Sequence, residues 1–98
     1  MLPLGSYILE EISDERARQE RLRADGKFTH TAASANDANF SDGWRLAVLV
    51  EEVGEAAEAA IERAGFIGKP KGNDLRAELI QVAAVCVAWI ERLDKGGP

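Results

Sequence analysis

The chain has little of what staples a fold or anchors it in a membrane. Its single cysteine, Cys86, excludes an intramolecular disulfide and, inside an apolar run, reads as a small buried hydrophobe. The longest apolar run, Val82 to Ile90, is nine residues, against the roughly 20 needed to cross a bilayer. Met1 to Glu10 lacks the charged start and long apolar centre of a signal peptide, so the expected address is the cytoplasm. Positive charge is the scarcer sign: 12 basic against 17 acidic residues give a net charge of −5. That field repels a nucleic-acid backbone or an anionic membrane, and leaves free nucleotides carried with a divalent cation as admissible anionic partners. Aromatic residues are only 6% of the chain. Trp44 and Trp89, at helical spacing among apolar neighbours, read as core or interface residues rather than base-stacking platforms. The lone histidine, His30, reads as an exposed loop residue and stays outside the catalytic set.

What is present fits one small all-α domain: 98 residues with 46% hydrophobic content have room for one core. Three stretches carry a helical period. The first, about residues 5–23, sets Ile8 and Ile12 against a dense mixture of charges. The second, 41–64, opens on the N-cap candidates Ser41 and Asp42 and stops at Gly65. On a wheel, its Leu46, Leu49, Val50, Val53, Ala56, Ala57, Ala60 and Ile61 form one apolar arc expected to face the core. Glu51, Glu58 and Glu62 read as solvated surface. The third helix, 74–93, follows a connection with Gly68, Pro70 and Gly72, and Asn73 or Asp74 can cap it. Residues 24–40, small and polar without a period, read as a long loop that is functional or partly disordered.

The short second connection favours an antiparallel hairpin. Glu52 and Glu55 are three apart on helix two; Asp74, Glu78 and Gln81 share a face of helix three. Glu52, Glu55 and Glu78 are therefore expected to converge from opposite walls of a groove. Carboxylates gathered at a partly apolar boundary repel one another and lose hydration, and a hard divalent ion is the natural compensation. Mg²⁺, with Mn²⁺ as a substitute, takes oxygen ligands and shares its shell with substrate phosphates, so three carboxylates and the Gln81 amide suit a metal-bound triphosphate.

These residues also resemble a known family. LVEEVGEAAEAAIE, followed by LRAELIQVAAVCVAWIE, is similar to the MazG-like, all-α nucleoside triphosphate pyrophosphohydrolases, whose signature is Glu-x-x-Glu, a spacer, then Glu-x-x-Asp. The first half is Glu52-Val53-Gly54-Glu55, and the second is Glu78-Leu79-Ile80-Gln81, with 22 residues between Glu55 and Glu78. Upstream, ERARQERLRADGKFTH resembles the Glu-Arg-x-x-Gln, Gly, His pattern of small MazG-like proteins. The resemblance implies cleavage of a nucleoside triphosphate into monophosphate and pyrophosphate. Glu52, Glu55 and Glu78 would hold Mg²⁺, with Glu55 orienting the attacking water and Gln81 standing where the family has a ligand aspartate. An amide brings no negative charge, so this departure predicts weaker metal binding. Lys27, Lys69, Lys71 and Arg76 are candidates to neutralise the triphosphate.

Helix three is apolar nearly all round from Leu79 to Ile90, more than one small domain can bury. Its spare face is expected to pack on another copy of the chain, as a homodimer or homotetramer of four-helix-bundle type. Two other functions fit the same residues: a metal- or nucleotide-binding regulatory module that lost catalysis at Gln81, and a purely structural oligomerisation unit.

Overall fold

The structure, a computed structural model, describes residues 5–27, 34–65 and 74–96. It is all-helical among them, with α1 (Ser6–Ala24), α2 (Asp42–Arg63) and α3 (Leu75–Asp94). The expected punctuation acts locally. Ser41 Oγ accepts the Trp44 N–H at 3.1 Å, and Asp74 Oδ1 accepts those of Arg76 and Ala77 at 2.9 and 3.3 Å. Each cap satisfies donors that the first helical turn leaves without partners. Gly65, at φ 75°, takes the left-handed conformation that ends α2.

Helix α3 is the central element, packed on one side by α2 and on the other by α1. The α2/α3 pair is antiparallel: Trp89 Nε1, late in α3, donates to Asp42 Oδ1 at the start of α2 at 2.9 Å. At the far end Glu78 meets Glu55. Helix α1 lies obliquely across α3. Glu11 pairs with Arg76 near one end of α3, while Arg16 reaches Glu91 at 2.8 Å near the other. Five residues of α1 thus answer to fifteen of α3, a mismatch that neighbours lying side by side would not show.

The face of α2 turned toward α3 is not the one its large apolar residues mark. Buried positions are Arg45, Val48, Glu52, Ala56, Ala59 and Glu62, whereas Leu46, Val50, Val53 and Ile61 are 40 to 61% exposed. Only Ala56 of the expected arc is fully inside; Leu49 packs at the margin of the core. Alanines at 56 and 59 let the two helices approach closely, and that approach selects the stripe carrying Glu52 and Glu62. The solvated role expected of Glu62 is thereby corrected: it is buried, and its Oε2 meets no hydrogen-bond partner among the described residues. The core proper is small, built from Ala35, Val48, Val85 and Ala88. Cys86 is half-buried.

The described part of the long loop is not loose. Ser34, Ala35, Asn36 and Asp37 are all buried, and the fully buried Arg45 fixes them from α2. Its guanidinium donates to the Ala35 and Asp37 carbonyls at 2.8 and 2.7 Å and pairs with Asp42 at 3.2 Å. Trp44 donates from Nε1 to Ser34 Oγ at 2.6 Å and stacks on Phe40 at 5.3 Å between ring centres. Arg23 of α1 reaches Asp37 at 3.5 Å. The clamp ties the loop to both flanking helices. No helix among the described residues is long and apolar enough to cross a membrane.

Candidate metal centre

The acidic site is built where α2 and the start of α3 run past each other. Carboxylate oxygens of Glu51, Glu52 and Glu55 lie within 4.8 Å of one another on α2. One helical turn separates Glu51 and Glu52 from Glu55, which puts all three on overlapping parts of the surface. From α3, Glu78 comes within hydrogen-bonding reach of Glu55. A hydrogen bond between two carboxyls requires one of them to carry a proton. Glu78 has its Oε2 buried without a hydrogen-bond partner among the described residues.

Glu52 is the centre of this group. Only 7% of its surface is exposed, and it makes no hydrogen bond or ion pair to any described residue. Burial first, then the negative charges of Glu55, Glu78, Glu51 and Glu15, push its pKa from 4.5 up to about 7. Glu78 is raised too, by burial, then by the shared hydrogen bond and charge of Glu55, then by Asp74. Around Glu52 these contributions all have one sign. A structural buried carboxylate is normally matched with a cation or several donors; here the charges that act on it among the described residues are other acids.

No protein-family model, curated protein or solved structure matches the chain. The chemistry of the site therefore rests on its own geometry. Glu51, Glu52 and Glu55, with Glu78 beside Glu55, offer hard oxygen donors of the kind that could hold a metal ion.

Of the residues expected from sequence, Glu52, Glu55 and Glu78 are brought together. Glu51, read as surface, joins them. Gln81 is level with Glu52: in the antiparallel pair, stepping back one turn from Glu55 to Glu52 matches stepping on one turn from Glu78 to Gln81. Yet its amide makes no hydrogen bond to the glutamates and lines a groove of about 390 Å³ between α1 and α3, together with Glu11, Asp14, Glu15, Arg18 and Ile80. Arg76 also lines that groove, held by Glu11 through both terminal guanidinium nitrogens. That pairing keeps the Glu11 carboxyl below its ordinary range. Lys27 is exposed beyond α1 and pairs with no carboxylate among the described residues. Lys69, Lys71 and His30 lie outside the described residues.

Two contributors were missed by sequence reasoning. Glu51 sits next to Glu52 in the same acidic run and was visible but indistinguishable from its solvated neighbours. Glu15, on α1, adds its charge to Glu52 from 37 positions away in the chain, and no local spacing reveals such a meeting.

Proposed function

We propose that the chain is a Mg²⁺-dependent nucleoside triphosphate pyrophosphohydrolase of the MazG-like type, with Glu52, Glu55 and Glu78 as the carboxylates that hold the cation. The observation that carries this reading is Glu52: a carboxylate buried among four other acids, with no basic partner among the described residues, is unfavourable in the folded chain unless a proton or a cation compensates it. The Glu-x-x-Glu and Glu-x-x-Gln sequences at 52–55 and 78–81 supply the donors in the order that the family resemblance leads one to expect.

Glu52, Glu55 and Glu78, with Glu51 beside them, would hold the cation, which when bound would polarise phosphate oxygens and lower the pKa of bound water. Glu55, exposed at the mouth of the cluster and next to the proton-sharing Glu78, accepts a proton from the attacking water on its carboxylate. Gln81 lines the adjoining groove, a volume within the range of small-ligand clefts. Arg76 at its wall faces the phosphates when its pairing with Glu11 opens. The products are the nucleoside monophosphate and pyrophosphate.

Self-association belongs to the same reading. Leu46, Val50, Val53 and Ile61 of α2 with Leu79, Ile90 and Leu93 of α3 are all 40% exposed or more. Mainly small residues, alanines and valines, fill the interior. A monomer holds its largest aliphatic side chains in water, and a second copy of the chain, in a bundle-like homodimer or homotetramer, removes them from it. The spare face expected on α3 thus extends onto α2. Sedimentation at micromolar concentration checks this: an oligomer is expected, and a well-folded monomer contradicts it.

The deciding assay is pyrophosphate release from a panel of nucleoside triphosphates with Mg²⁺ or Mn²⁺. Turnover of at least one, lost in Glu52→Gln, is expected; no turnover of any sinks the enzymatic reading. A second reading, a cation- and nucleotide-binding module without turnover, is favoured by one observation, the neutral Gln81 level with Glu52. In that case Gln81→Asp creates activity in an otherwise inactive protein.

A further inference from the structure

Helix α2 has two sides, and among the described residues only one of them is covered. At about 100° per residue, its buried positions, from Arg45 to Glu62, lie on the side turned to α3. Leu46, Val50, Val53, Gly54, Ala57 and Ile61 lie on the opposite side, and all six are exposed. None of them is charged; Glu51 and Glu58 mark the edge of the stripe. The larger members recur at steps of three and four residues, the spacing of a seam between two helices. An amphipathic helix of a small domain ordinarily turns such a stripe inward; here it points straight out. Gly54 stands in the middle of it. Its φ is not positive, and a Cβ added there would meet nothing within 4 Å. Glycine weakens a helix interior relative to alanine, and within one copy neither its conformation nor its surroundings call for it. A second backbone crossing closely at that point does.

Resting on the self-association reading, we propose that this stripe is the seat of α2 from a second copy of the chain, antiparallel to it, with the two-fold axis passing at residues 53 and 54. The stripe matches itself in that order. Reversal sets Val50 against the partner's Ala57 and Val53 against the partner's Gly54, a larger residue facing a smaller one on each side of the axis, and Leu46 meets the partner's Ile61 at either end. A parallel pair would instead stack valine on valine and leave glycine facing glycine. Charge favours the same order. Asp42 lies in the first turn of α2 and Arg63 in the last, and antiparallel helices bring these opposite charges to the same end, together with the opposite poles of the two helix dipoles. Glu52 faces α3 from the other side of the helix, so each copy keeps its own acidic cluster and the seam holds the reverse of the helix that carries it.

The experiment is sedimentation equilibrium of the full chain, each variant first checked for native helicity by circular dichroism. Wild type is expected to dimerise. Val50→Arg, at a position 61% exposed in one copy, is expected to keep its helicity and sediment as a monomer. Leu9→Arg, 58% exposed on α1, is expected to remain a dimer. Gly54→Leu separates the seam from the helix itself: in one copy the side chain has open space and helicity should hold or rise, whereas at the crossing it forces the helices apart and is expected to weaken the dimer about tenfold or more. Orientation is read by disulfide trapping in a Cys86→Ala background, which has no native thiol. Val53→Cys is expected to form a covalent dimer under mild oxidation, and Leu46→Cys only when mixed with Ile61→Cys. A dimer that survives both Val50→Arg and Gly54→Leu overturns the inference and leaves self-association through α3 standing. A covalent dimer of Leu46→Cys alone overturns the antiparallel order. A wild type that stays monomeric up to on the order of 100 µM overturns the inference and the self-association reading together, and leaves the stripe to an unlike partner.

Discussion

Arg45 and Glu52 are buried on the same face of α2, two turns apart, and their surroundings are opposite. Arg45, fully buried, spends its donors on the Ala35 and Asp37 carbonyls and on Asp42. Glu52, 7% exposed, faces only acids among the described residues. A buried charge that is satisfied by the chain itself serves the fold, and one that the chain leaves unsatisfied stores a deficit that something from outside can fill. Arg45 explains how residues 34–37, in a polar stretch without a period, come to be buried. Glu52, like Glu62, is turned inward from a helix rich in glutamate.

The contrast breaks first at Arg45. Arg45→Met keeps the length but strands two buried carbonyls, and is expected to cost about 3 to 5 kcal/mol in denaturant unfolding, independently of Mg²⁺. A variant as stable as wild type would remove the clamp from the account.

Glu52 predicts the opposite sign. Its folded pKa of about 7 lies above the unfolded 4.5, so between those values the folded chain holds a proton that the unfolded chain has released. The extra stability is fully present below pH 4.5 and is lost as pH rises through about 7. Metal-free wild type should therefore be less stable at pH 8 than at pH 4.5 by on the order of 2 to 3 kcal/mol from this group. Glu52→Gln, neutral throughout, should flatten that part of the profile in chemical denaturation. An identical slope in both proteins would show that Glu52 pays no charge penalty.

Smaller effects sharpen the comparison at exposed positions. Asp74→Ala removes an N-cap that accepts two backbone N–H groups and is expected to lower stability by about 1 kcal/mol. Arg76→Ala breaks an exposed ion pair with Glu11 and should leave the melting temperature within error. If that surface pair mattered as much as Arg45, burial would not be what distinguishes structural charges here.

The sequence disclosed the helices and their ends because caps and breakers are local: Ser41, Asp74 and Gly65 act within a turn of themselves. Glu52, Glu55 and Glu78 were legible for a related reason, since a three-residue spacing and a short antiparallel connection leave few places for them to go. The orientation of α2 was not legible. Periodicity locates both of its stripes, but which one faces α3 depends on how closely Ala56 and Ala59 let the helices approach, and the larger residues were assigned inward by size. Arg45 and Glu15 escaped because their partners lie far along the chain or in the backbone of a loop that has no period. Gln81 was expected beside the glutamates, whereas the groove it lines is created by the oblique crossing of α1, which no pattern within one helix encodes.

The central claim is that a divalent cation fills the deficit at Glu52, and thermal unfolding with and without millimolar Mg²⁺ at pH 8 tests it most directly, because a ligand that binds only the folded chain must raise its melting temperature. The account predicts a clear Mg²⁺-dependent rise in the wild type that is absent in Glu52→Gln. An equal rise in both, or none in the wild type, would contradict it.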